Sequence, residues 1–140
     1  MTEHIEPASL VTHGELTLRV VPAPADVNVN GDVFGGWILA RVDMAAGVAA
    51  MRRAKGRVAT VAVNSVQFKQ PVSVGDLLSL YTRIVRTGRT SMTVAVEVFA
   101  ERGYESPVTV KVTEAQLTLV AIDHEGRKRL LPEHVEAAGG

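Results

Sequence analysis

Two hydrophobic periods divide the chain. Residues 15–21 (Glu15-Leu16-Thr17-Leu18-Arg19-Val20-Val21) alternate apolar and polar, the period of a half-buried strand, behind a polar leader at 1–14. Residues 22–34 then carry Pro22, Pro24, Asp26, Asn28, Asn30, Gly31 and Asp32, turn chemistry that can also supply an N-cap. From about 36 to 54 apolar residues fill nearly the whole circumference of a helical wheel, which predicts a buried helix. Arg52, Arg53 and Lys55 complement the negative end of that helix, and Gly56 marks its stop.

From residue 57 onward the period returns to two. It runs through 57–70, 76–86, 90–101 and 108–122, all dense in Val, Thr, Leu and Ile. The connections at 71–75, 87–89 and 102–107 are too short for helical crossovers, so the sheet is mainly antiparallel. The first and last of these strands far exceed the usual length of about five or six residues, and long strands curl. The pattern therefore predicts an α+β fold, a curled antiparallel sheet of five to six strands around one long central helix. It forms a single domain over 15–132, followed by a tail at 133–140.

Composition narrows the chemistry. Lys plus Arg and Asp plus Glu number 15 each, so no global basic field steers nucleic acid or an anionic membrane surface. No uninterrupted apolar run is long enough to insert into a membrane, and the N-terminus lacks the pattern of an export signal. Zero cysteines rule out disulfides, a thiol nucleophile and cysteine metal sites, which suits a cytoplasmic protein. The four histidines, His4, His13, His124 and His134, lie near the ends and outside any metal-binding helix spacing, so no metal is expected. There is no GxGxxG, P-loop or GxSxG motif to indicate a dinucleotide, a nucleoside triphosphate or a serine hydrolase.

One carboxylate, Asp43, stands in the middle of the apolar helix. Burial there is costly unless the group is paired or protonated, and such carboxylates are frequent at catalytic sites; an exposed helix edge is the plainer alternative. On a helical wheel Asp43 shares its face with Gly36, Leu39, Ala40, Ala46 and Gly47, residues mostly without bulk, whereas Arg41 lies on the far side. That face has room for a ligand or for close helix packing. Gly35 and Gly36 open the helix, where free N–H groups at the positive dipole end can hold an oxyanion. Gly36 and Asp43 are seven residues apart, roughly 10 Å along a helix, too far to flank one carbonyl carbon. If the two cooperate, the site is shared between the antiparallel helices of a symmetric dimer, Gly36 of one chain facing Asp43 of the other. A hairpin with Arg86, Thr87, Gly88, Arg89, Thr90 and Ser91, and Arg83 close by, has the guanidiniums and hydroxyls to hold phosphate, although a solvated charged turn looks the same in sequence.

Three segments together resemble the hotdog-fold acyl-CoA thioesterases, most closely their YciA-like subgroup. They are Asn28-Val29-Asn30-Gly31-Asp32-Val33-Phe34-Gly35-Gly36-Trp37-Ile38 with Asp43 downstream; Thr60-Val61-Ala62-Val63-Asn64 with Phe68 and Pro71-Val72; and Val85-Arg86-Thr87-Gly88-Arg89-Thr90-Ser91, with Thr113-Glu114-Ala115 in the last strand. The resemblance implies hydrolysis of acyl-CoA to free fatty acid and coenzyme A, without a further cofactor. It implies dimers that assemble further, as a trimer of dimers. By the same resemblance Asp43 matches the catalytic carboxylate, acting as general base or as nucleophile, and Gly36 the amide that polarises the thioester carbonyl. Arg86, Gly88, Arg89 and Ser91 match the coenzyme A contact region. Asn28, Asp32 and Asn64 are candidates for orienting water or the pantetheine arm. A dehydratase on this fold is expected to use a histidine near the pocket, and none is placed there. A non-catalytic acyl-CoA-binding module, or a dimerisation domain without ligand, would not require Asp43.

Overall fold

A computed structural model of the chain describes residues 14–135. Its elements are β1 (Glu15–Val20), α1 (Gly35–Ala54), β2 (Val58–Phe68), β3 (Leu77–Thr87), β4 (Ser91–Arg102) and β5 (Val108–Ala121), with short 3-10 turns at Pro24–Asp26 and Pro132–His134. The five strands form one antiparallel sheet in the order β1-β3-β4-β5-β2. The expected hotdog arrangement is present: the sheet curls around α1, with five strands, the lower of the numbers expected. The rest of the 1–14 leader and of the 133–140 tail lies outside the described residues.

The strand period builds the core. Met92, Val94, Val96, Val98 and Ala100 of β4, and Ala115, Leu117, Leu119 and Ala121 of β5, face α1 and are buried. They meet Ile38, Val42, Ala45, Ala46, Ala50 and Ala54, whose small side chains let helix and sheet approach closely.

Two expectations for the helix need correction. It is not buried all round: Gly36, Ala40, Asp43, Met44 and Met51 form an exposed stripe, with Met44 56% exposed. A wheel of Gly, Ala and Met reads as core because it lacks charge, yet the sheet reaches only one side of it. The left-handed residue that ends the helix is Lys55 (φ 55°), not Gly56. Gly56 is small for another reason. Arg129 donates from Nη2 to the Ala54 carbonyl at 3.0 Å, and a Cβ on Gly56 would stand 2.6 Å from that nitrogen.

After β5 the chain turns at Asp123–Gly126 and comes back over the sheet. Leu131 is fully buried and its N–H donates to the Arg89 carbonyl at 2.8 Å, while Arg53 on α1 makes a two-point ion pair with Glu133. The β3–β4 hairpin and the C-terminal end of α1 are thus tied to one segment.

Candidate active site

The start of α1 is set by backbone pairing. Val27 bridges Val33 on one side, Asp32 bridges Ser73 on the other, and Phe34 N–H donates to the Asp26 carbonyl at 3.0 Å. Asn28 shapes the turn: its Oδ1 accepts the N–H groups of Asn30 (2.8 Å) and Asp32 (3.2 Å). None of the polar residues in 22–34 caps the helix. The N-cap is Phe34, with no side-chain hydrogen bond, which leaves the first amides of α1 uncapped. Gly36 is exposed, and a Cβ there would meet nothing within 4 Å. Gly35 differs, since the Phe68 ring lies 3.3 Å from where its Cβ would be. A cleft of about 280 Å³ runs beside this helix start, lined by Asp32, Val33, Gly35, Ile38, Phe68 and Val72 among others.

Asp43 lies two turns further along the same face and is exposed. Thr60 Oγ1 on β2 donates to its Oδ1 at 2.7 Å, so one carboxylate oxygen is held. The cost of an apolar burial, which first drew notice to Asp43, is therefore not incurred within one chain. Thr60 is the residue that sequence reasoning missed. Thr60 opens one of the segments that carry the family resemblance, but strand alternation alone does not say which β2 side chain meets position 43.

The unbroken helix keeps Gly36 and Asp43 of one chain roughly 10 Å apart, as expected. Asn64 is not brought beside Asp43 either: its Oδ1 accepts from Thr118 at 2.7 Å, on the side of β5 opposite Leu117 and Leu119 and so away from the helix. Arg86 pairs with Thr93, placing it on that same outer side of the sheet. At the hairpin turn Gly88 N–H donates to the Ser91 carbonyl at 2.8 Å, and a Cβ on Gly88 would stand 2.7 Å from Ser91 Oγ. Arg86 and Arg89 are exposed, without ion-pair partners among the described residues. The turn follows the cross-strand row Thr60–Leu119–Met92–Thr87, so it lies level with Asp43's partner at three strand spacings, roughly 14 Å. Elsewhere on the outer face Lys111 bridges Glu97 (2.8 Å) and Glu114 (2.6 Å). The hydrogen bond from Lys111 holds the Glu114 carboxyl below the usual range, and burial opposes this. Among the described residues no group of three or more His, Asp or Glu gathers as for a metal.

A helix opened by glycines, with a carboxylate on its uncovered face and a sheet curled around its other side, has the architecture of a hotdog domain. Comparison with known proteins agrees: the model of the Thioesterase superfamily matches residues 30–107. The chain belongs to this superfamily. Within it, the subgroup is that of the YciA-like acyl-CoA thioester hydrolases. The acyl-CoA thioester hydrolase YciA of Escherichia coli (strain K12) is 42% identical over 124 residues, covering 87% of this chain and 94% of that protein. The crystal structure of a hexameric thioesterase from Yersinia pestis superposes with a TM-score of 0.83 at 41% identity, covering 87% of this chain and 99% of that one. A hexameric, broad-specificity acyl-coenzyme A thioesterase, solved as an aspartate-to-alanine variant, gives a TM-score of 0.82 at 41% identity, covering 85% and 87% of the two chains.

Proposed function

We propose that this protein hydrolyses acyl-CoA thioesters to free acid and coenzyme A, with Asp43 as general base and the Gly36 amide as oxyanion donor. The observation that carries the assignment is Asp43 itself, exposed on the Gly36 face with one oxygen anchored by Thr60. The other oxygen is free to take a proton from water as that water attacks the thioester carbonyl carbon. The N–H of Gly36, an exposed first-turn residue of a helix without a capping side chain, receives the developing oxyanion. When the tetrahedral intermediate collapses the C–S bond breaks, and protonated Asp43 returns its proton to the departing thiolate. Water, the thioester and these groups balance the reaction without a further cofactor.

Both groups act on one carbonyl only across two chains. The exposed stripe Gly36, Ala40, Asp43, Met44 and Met51 supports a symmetric dimer with antiparallel helices. So does β2, whose outer edge is unpaired among the described residues and whose Val61 and Val63 are exposed. Hexameric relatives support further assembly, which we read as a trimer of dimers. Arg86, Gly88, Arg89 and Ser91 then take the nucleotide end of coenzyme A, and Asn28 and Asp32 order the approach to Gly36. Asn64, turned away from its own chain's Asp43, serves water or pantetheine only from a partner's side. A cytoplasmic setting suits a chain with zero cysteines.

Free-thiol release from acyl-CoA tests the reading. Asp43→Asn keeps the fold and acyl-CoA binding and lowers kcat by about 10²- to 10⁴-fold; an unchanged kcat removes Asp43 from the chemistry. Attack by Asp43 itself, through an anhydride, is distinguished by a single turnover in ¹⁸O-water: label in the Asp43 carboxylate, rather than only in the released acid, replaces the base with a nucleophile.

A further inference from the structure

We propose that Asp76 and Arg102 are positioning residues that aim the Gly36 amide, an inference that rests on the role given to Gly36 above. Asp76 is a carboxylate only 4% exposed, outside the cleft and far in sequence from the helix. Its Oδ2 accepts from Arg102 Nε at 3.0 Å and from Ser73 N–H at 2.9 Å. Arg102 uses its fork a second time, donating from Nη2 to the Pro71 carbonyl. The two side chains therefore clasp the segment 71–73 against the end of β4, with Gly75 (φ 97°) making the turn between them.

What the clasp holds is the outer support of the helix start. Val33 N–H donates to the Val72 carbonyl at 2.8 Å and Asp32 bridges Ser73, so residues 32–33 take their position from 72–73. Three residues after Val33 comes Gly36, and no cap side chain intervenes to fix its amide. That N–H is aimed by residues 32–34, held on one side by 26–28 and on the other by a relay that begins at Arg102 at the end of β4. An oxyanion donor stabilises a transition state only when it is already aimed, since small displacements forfeit most of the effect.

The relay predicts a particular kinetic pattern. Asp76→Asn loses the charge that holds Arg102, and kcat for acyl-CoA falls between about tenfold and a hundredfold while KM stays within about twofold. Arg102→Lys keeps a cation for Asp76 but loses the fork to Pro71, and shows the same split; it also serves if Asp76→Asn fails to fold. The deciding measurement places either variant in a Gly36→Pro background, where the N–H is gone and a first-turn proline is tolerated. There the clasp substitution produces no further loss in kcat. A loss as large as in the parent overturns the positioning role and leaves Gly36 as donor. Gly36→Pro with undiminished kcat overturns the Gly36 reading instead, and the aim of the clasp with it. Amide exchange in the clasp variants of the parent protein accelerates at Val33, whose N–H bonds the Val72 carbonyl, and at Trp37, whose N–H bonds the Phe34 carbonyl; unchanged rates there count against the relay.

Discussion

Thr60 decides how Asp43 presents itself. Without the hydroxyl both carboxylate oxygens would be free to rotate into solvent; with it, Oδ1 is engaged at 2.7 Å and the carboxylate is pinned at one end. A hydrogen bond to a charged group contributes about 1.5–3 kcal/mol when well formed, enough to orient an exposed side chain. Thr60→Val, nearly the same shape, therefore lowers kcat by about tenfold, less than loss of the carboxylate itself, and leaves KM and Tm close to wild type. Equal kcat in the two proteins would make the contact incidental. Asp43 and the glycine pair were legible in the sequence because a charge in an apolar helix and a bare helix start are unusual wherever they occur. Thr60 was not, because its meaning depends on a contact spanning seventeen positions that only the curl of β2 creates.

At the scale of elements, the hairpin between β3 and β4 depends on a segment that looks like a tail. Leu131 is fully buried and its N–H holds the Arg89 carbonyl, so the turn that presents Arg86 and Arg89 is supported from the C-terminal side. Leu131→Ala removes about 2–5 kcal/mol of stability and, by loosening the turn, raises KM for coenzyme A thioesters. Arg89→Ala raises the same KM without the loss of stability, and leaves KM for a truncated pantetheine thioester unchanged. Equal effects on both substrates argue against a nucleotide contact at the turn. The same segment carries an acid-sensitive tie. Hydrogen bonds from the Arg53 guanidinium pull the Glu133 carboxyl from an ordinary 4.5 to about 2. A carboxyl lowered on folding contributes stability that is complete above its unfolded value and lost as pH falls toward its folded one. The Tm difference between wild type and Glu133→Gln is therefore greatest above about pH 4.5 and closes toward pH 2, and it is small because solvent screens an exposed pair. A difference that does not narrow with acid would assign the tie to packing instead of charge.

For the whole molecule the proposed chemistry turns on a distance: the site as proposed above needs two chains. A helix keeps its own Gly36 and Asp43 two turns apart, and only a second, antiparallel helix brings a glycine amide to a carboxylate. Complementation tests this directly. Asp43→Asn and Gly36→Pro chains, each far below wild-type activity alone, are unfolded and refolded together; random pairing makes half of the dimers mixed, each with one intact site of two, and restores about a quarter of wild-type activity. No recovery in mixed dimers confirmed by mass would place the site within a single chain.

The sequence by itself determined the order of elements, the antiparallel sheet and the candidate carboxylate, glycines and arginine turn. These follow from local rules: period two, period 3.6, connections too short for crossovers, and residue types whose chemistry is evident without neighbours. Tertiary structure alone decided which side of α1 is covered, because Gly, Ala and Met suit a core and an interface between chains equally well. It also decided that Lys55 and not Gly56 takes the left-handed cap, since the glycine is needed to admit Arg129. Pairing across the curled sheet further gave Asp43 its Thr60 and turned Asn64 toward Thr118. Each of these depends on where a distant strand arrives, and the path of the sheet through space is written in no single stretch of residues.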